Sequence, residues 1–175
     1  MAQLYMQREV PYKAAKLLEG EMESGRVAKN AKNYRLLSQA WMLSMEDARA
    51  IPALQEAARL SDDGELDVRL GNAYLNLAEY DDCASSVRNG LRKGGLKRSD
   101  NAQISLGMCL YNMREYQNAI QAFQQAAKTP ASRRIANQWI TVIRQDVERN
   151  RQIRLAEEAA RKKREEIEAR RATSG

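Results

Sequence analysis

Residues 69–87 read RLGNAYLNLAEYDDCASSV, and residues 105–123 read SLGMCLYNMREYQNAIQAF. The second stretch restates the first 36 residues on. Leu70-Gly71 returns as Leu106-Gly107, Tyr80 as Tyr116, Cys83 as Ala119 and Val87 as Phe123. Self-similarity at such a period constrains the fold before any local propensity does, because it marks units that stack on one another.

Placing Gly71 eighth in a helix–turn–helix unit of about 34 residues fixes a register. Leu70 is then seventh, Tyr74 eleventh, Tyr80 seventeenth, Cys83 twentieth, Val87 twenty-fourth and Gly90 twenty-seventh. The following unit puts Leu106, Gly107, Leu110, Tyr116, Ala119, Phe123 and Ala126 at those places, and the preceding one Leu37, Ser38, Trp41, Asp47, Ala50, Leu54 and Ala57. Small residues at the eighth, twentieth and twenty-seventh places let two helices approach closely. Large residues at the seventh, eleventh, seventeenth and twenty-fourth fill the space around them. A lone helix pair cannot bury such a face, whereas stacked neighbours can.

This pattern of LG, an aromatic, A-x-x-x-F and a small residue resembles the tetratricopeptide repeat. The resemblance covers residues 1–128 and implies an all-α, right-handed solenoid of antiparallel helix pairs. The array should comprise a partial first repeat and three repeats starting near residues 31, 64 and 100. With Ala14 twentieth in its unit, Tyr5, Ala2 and Met1 fall at the eleventh, eighth and seventh places, so the chain opens partway through a helix. The expectation is a C-terminal portion of a longer repeat protein, with a first helix that frays or finds a partner.

The connectors carry their own signals. ESGRVAKN at 23–30 resembles KGGLKRSD at 93–100. Gly25 and Gly94 suit a left-handed residue after a helix, Val27 and Leu96 can tuck each loop onto the helix end, and Asn30 and Ser99 suit N-caps. In SDDGE, Asp62 is the expected N-cap, with Glu65 three residues on.

Thr129-Pro130 is a helix start, and Ile135, Ala136, Trp139, Val142, Ile143 and Val147 form one stripe at helical spacing. Residues 130–147 therefore read as a capping helix over the last repeat, with Trp139 packing in the cap rather than serving as a ligand platform. Residues 148–175 read as a charged helical extension and tail. Neither Gly nor Pro interrupts 131–174, so one helix of about 40 residues is expected, its distal half protruding. Glu157–Arg161, Glu158–Lys162 and Glu166–Arg170 are i,i+4 pairs in the favourable order.

Composition narrows the chemistry. The chain has no histidine, which removes the commonest general base and metal ligand. Cys83 and Cys109 have neither zinc-site nor CxxC spacing. They read as small buried hydrophobes, with a disulfide between adjacent helices as the lesser alternative. No phosphate-loop or dinucleotide motif occurs, and DDGE at 62–65 is too short for a calcium loop. The paired acids Asp81 and Asp82 suit a helix start. No catalytic, cofactor-binding or metal site is expected.

The charge of +6 is uneven, with 12 Lys/Arg against 7 Asp/Glu in residues 131–175. RKGGLKR at 92–98 and RKKR at 161–164 offer phosphate contacts, so a nucleic-acid-associated module is one alternative function. The tail's interleaved acids and its lack of aromatic residues argue against it. Self-assembly through the open first helix or the tail is another, although the seam of Ile153, Ala156, Ala160 and Ile167 supports only weak pairing. No apolar run is long enough to span a bilayer.

The resemblance implies that the first helix of each unit lines a concave face that binds a peptide or helix of a partner protein. Carried over, the candidate groove residues are Arg35, Gln39, Met42, Arg69, Asn72, Asn76, Asn101, Met108 and Asn112, with Gln3, Met6, Gln7, Leu75 and Ser105 beside them. Amides bond an extended backbone, arginines take a carboxylate or phosphate, and methionines adapt to varied apolar side chains. Some family members clamp a C-terminal carboxylate with lysines, asparagines and an arginine. Asn72 matches one such place, but Val68, Asn101 and Ser105 depart from it. LYMQREVPYKAAKLLE and GGLKRSDNAQISLGMCLYNMREYQNAIQAF are also similar to the C-terminal repeats of bacterial tetratricopeptide proteins associated with TonB–ExbB–ExbD systems. That likeness implies a periplasmic accessory to an envelope complex, against a cytoplasmic alternative.

Overall fold

The computed structural model describes residues 10–173, with side chains as far as residue 169. Eight helices follow one another in this part of the chain: α1 (Pro11–Glu23), α2 (Ala31–Leu43), α3 (Asp47–Arg59), α4 (Glu65–Asn76), α5 (Tyr80–Lys93), α6 (Ser99–Asn112), α7 (Tyr116–Ala127) and α8 (Pro130–Thr173). Each packs on its sequence neighbours, and α4 also meets α6 while α6 meets α8. The expectations placed on residues 1–9, among them Gln3, Met6 and Gln7, lie outside the described residues.

The register read from the sequence is the register of the core. Leu37, Leu70 and Leu106 are buried, as are Trp41, Tyr74 and Leu110, and Leu54, Val87 and Phe123. The glycines mark the crossings. A Cβ on Gly71 would lie 3.1 Å from the Cys83 carbonyl oxygen and closer still to Val87, and one on Gly107 would lie 2.7 Å from the Phe123 ring. A third crossing, between Gly64 and Gly90, brings backbone against backbone: a Cβ on Gly90 would stand 2.7 Å from the Gly64 oxygen.

All three turns within repeats have the same construction. Met45, Ala78 and Arg114 adopt φ of 60°, 60° and 62°. Glu46, Glu79 and Glu115 then donate their N–H back to the carbonyls of Trp41, Tyr74 and Leu110 at 2.9–3.0 Å. This is a Schellman closure, and it satisfies helix-end carbonyls that would otherwise be orphaned. Each is formed around a residue that is not glycine, although glycine would carry no steric cost there.

The connectors between repeats partly match their reading. Gly25 and Gly94 have φ of +77° and +76°, and Val27 and Leu96 pack on the core. Asn30 caps α2, its side chain accepting from the Asn33 N–H at 2.9 Å. Ser99 does not cap α6; Arg98 precedes the helix and Ser99 is its first residue. Nor does Asp62 cap α4. Gly64 is the N-cap, and Asp63 accepts from the Glu65 N–H at 3.0 Å. The Gly64–Gly90 crossing shifts that helix start, because only glycine fits at the point of contact.

The cysteines correct the sequence reading. Cys83 on α5 and Cys109 on α6 are bonded to each other, with Cα atoms 6.1 Å apart. The twentieth place of one unit and the tenth of the next meet only because successive units stack, which a spacing of 26 residues does not reveal.

The array ends for a visible reason. Ile140 on α8 is buried in the seventh place, as a first helix requires. The eighth place holds Thr141 and the eleventh Arg144, both exposed, where earlier units have small residues and Trp41, Tyr74 or Leu110. A following helix could not bury Arg144 without stranding its charge, so α8 runs on instead of turning back. Trp139 packs as expected, stacked on Phe123 at 5.6 Å and edge-on to Tyr111 at 5.5 Å. Along the distal half the described ion pair joins Arg161 to Glu165 at 3.8 Å, not Glu157 to Arg161 or Glu158 to Lys162. Arg170 lies beyond the described side chains.

Candidate functional site

The first helices α2, α4 and α6 lie along one side of the stack, and α8 continues the row. The nine candidates from Arg35 to Asn112 fall on α2, α4 and α6, and none is fully buried. They separate into three groups. Asn76 donates to Asp47 Oδ2 at 2.7 Å, Asn112 to the Met108 carbonyl oxygen at 2.8 Å, and Asn101 accepts from Arg98 at 3.2 Å. These amides are committed to the fold. Met42 and Met108 are half-buried against the core. Arg35, Gln39, Arg69 and Asn72 form no side-chain hydrogen bond or ion pair among the described residues, and they leave polar groups on α2 and α4 for another molecule.

Two polar networks at the C-terminal end escaped the sequence reading. In the first, Asp100 is buried on α6 and accepts from Arg98 at 2.9 and 2.7 Å and from the Ser132 hydroxyl at 2.6 Å. Hydrogen bonds from Arg98, then from Ser132, hold its carboxyl far below the ordinary range, against the upward push of burial. Ser132 thereby fastens the start of α8 to the last repeat. In the second, the Tyr111 hydroxyl donates to Asp146 Oδ2 at 2.5 Å, and Arg149 donates to Oδ1 at 2.5 Å. The bond to Asp146, followed by burial, raises the Tyr111 pKa. Accepting from Tyr111 does most to lower that of Asp146, with Arg149 adding to the effect against desolvation. The sequence offered one signal: Asp146 stands thirteenth in its register, the place of Asn76 and Asn112.

The basic turn at 92–98 is largely used internally. Lys93 donates to the carbonyls of Ala58 and Ser61 at 2.7 and 3.2 Å. Its ammonium also lies 2.8 Å from Asp67 Oδ2, an ion pair too oblique to count as a hydrogen bond. Arg92 donates to Asn89 at 2.7 Å, and Arg98 holds Asp100. Among the described residues, no cluster of three or more His, Cys, Asp or Glu is placed to hold a metal ion, and no helix is long and apolar enough to cross a membrane.

Paired helices, glycine crossings, a row of first helices and an unbroken terminal helix define a right-handed α-solenoid of the tetratricopeptide type. Solved structures share this fold. The crystal structure of YrrB, described as a tetratricopeptide-repeat protein with an unusual peptide-binding site, is 18% identical over 84% of this chain and 74% of its own, with a TM-score of 0.70. Two crystal structures of MamA superpose with TM-scores of 0.63. One is 22% identical over 73% of this chain and 68% of its own, the other 15% identical over 86% and 96%. No protein-family model matches the sequence, and no curated protein does.

Proposed function

We propose that this chain is a protein-interaction module that holds an extended segment or helix of a partner polypeptide against α2, α4 and α6. The carrying observation is the contrast within that face: Asn76, Asn101 and Asn112 are spoken for, while Arg35, Gln39, Arg69 and Asn72 are not. The two arginines would take carboxylate or phosphate groups, and the two amides would bond the backbone of the bound segment. The peptide-binding site ascribed to YrrB, which shares the fold, supports the reading.

The finer proposal is an accessory role in a bacterial envelope complex linked to a TonB system, with a periplasmic location. The bond between Cys83 and Cys109 supports an oxidising compartment, since structural disulfides persist there and are rare in a reducing cytosol.

Affinity capture from native extract, compared between the unaltered chain and the Arg35→Glu/Asn72→Ala variant, tests the face. The variant should lose its partner while its Tm falls by no more than a few degrees, because both positions are solvent-accessible. Unchanged capture would move the binding site elsewhere.

A further inference from the structure

A cleft of about 710 Å³ opens where α8 passes the turn between α6 and α7. It exists because α8 fails to turn back. In earlier units the chain turns back after the first helix, at Met45, Ala78 and Arg114, whereas α8 continues without a break and borders the cleft beside Arg114. The cleft is lined by Tyr111, Tyr116 and Arg114 on one side and by Val147, Ile153 and Arg154, among others, on the other.

Its charge is unbalanced. Asp146 is the acid in the lining, and both its oxygens are engaged, by Tyr111 and by Arg149. Arg114 and Arg154 are exposed and have no ion pair or hydrogen bond to their side chains among the described residues. Two guanidinium groups without an ion-pair partner therefore line one opening. Tyr111 and Tyr116, with ring centroids 6.0 Å apart, belong to the lining, and behind them Tyr111 packs on Trp139 and Trp139 on Phe123 at 5.5 and 5.6 Å. Beside the cations, Ile153 is an exposed apolar side chain, 49% accessible, next to half-buried Val147.

We infer that this cleft is a binding site for an acidic peptide segment, with a carboxylate set between Arg114 and Arg154 and a neighbouring apolar side chain laid on Val147 and Ile153. Guanidinium groups pair with carboxylates through two parallel hydrogen bonds. The Tyr111–Asp146–Arg149 network holds the floor in place and keeps Asp146 from competing for the two free arginines. The site uses none of Arg35, Gln39, Arg69 and Asn72, so it stands or falls independently of the face proposed above.

The test is fluorescence anisotropy with a labelled eight-residue peptide of alternating Glu and Leu, its Gln/Leu counterpart and a single-stranded DNA octamer. The expected result is saturable binding of the Glu/Leu peptide, at least tenfold weaker binding of the Gln/Leu peptide and of the DNA, and a salt-dependent affinity. The Arg114→Ala/Arg154→Ala variant should bind the Glu/Leu peptide at least tenfold more weakly with an unchanged far-ultraviolet circular dichroism spectrum. The control variant Lys13→Ala/Lys128→Ala, which removes two exposed cations outside both faces, should bind it as the unaltered chain does. Absence of saturable binding, equal affinity for the Gln/Leu peptide, or indifference to loss of the two arginines would each overturn the inference. Tighter binding of the DNA octamer would replace the peptide with a nucleic-acid strand, and loss of binding only in the Arg35→Glu/Asn72→Ala variant would assign the peptide to the other face.

Discussion

The first and second halves of α8 belong to one unbroken helix and obey different rules. As far as Val147 the helix is held by its neighbours: Ala136 and Ile143 are fully buried, Ile140 nearly so, and Ser132 is bonded to Asp100. Beyond that point every described residue is exposed, including Ile153, Leu155 and Ile167. The first half would not need strong propensity, because packing selects it. The second half has little besides propensity, since Ala, Glu, Lys and Arg are good helix formers and exposed ion pairs add only a few tenths of a kcal/mol. Helicity thus has two origins within 44 residues, and stability should follow the first.

The sharpest way to break this contrast is to attack the packed side. Phe123 is fully buried, lies against Gly107 and stacks on Trp139. Phe123→Ala should therefore destabilise the fold by about 3–5 kcal/mol in urea titration. It should also loosen the start of α8, seen as reduced amide protection from Ile135 to Ile143.

An intermediate effect is expected at the fastening between the last repeat and α8. Asp100 has a lowered pKa in the folded chain, so its contribution is fully present above the unfolded carboxylate pKa of about 3.9 and fades as pH falls below it. Thermal melts from pH 7 to pH 2 should show that acid loss in the unaltered protein and a shallower one in Asp100→Asn. At pH 7 the same substitution should cost about 2 kcal/mol, because Arg98 and Ser132 lose an ionised acceptor. Equal acid limbs in the two proteins would detach Asp100 from the fold's stability.

The smallest effect belongs to the protruding side. Removing residues 156–175 should change the free energy of unfolding by less than about 0.5 kcal/mol and lower the helical signal only in proportion to the residues lost, since surface substitutions away from packed features rarely exceed that value. A drop of several kcal/mol would show that the extension packs on something and would erase the contrast between the halves of α8.

Much of this architecture was legible beforehand because it is written in repetition. Leu70, Gly71, Tyr74 and Val87 have counterparts one unit away, and a repeated residue reports a repeated contact. The capping helix was legible from Thr129-Pro130 and a single apolar stripe. Ser99 and Asp62 were misread, and the bond between the buried cysteines stood only as the lesser alternative, for one reason: each depends on how units sit against one another rather than on what the local chain prefers. Asp62 gave way to Gly64, which meets Gly90, and Cys83 found Cys109 because α5 and α6 lie side by side. Register placed the candidate groove residues on the first helix of each unit, but register does not tell a committed amide such as Asn76 from an available one such as Asn72.

By itself, the sequence determined the helical period, the small residues where helices cross and the place where stacking stops, because these follow from side-chain volume and from Arg144 standing where a large apolar residue would be needed. Only the tertiary structure decided which polar groups are already satisfied, that two cysteines meet, and that an unbroken α8 leaves Arg114 and Arg154 lining an open cleft. Those are facts of distance between segments far apart along the chain, and no local pattern of residues encodes them.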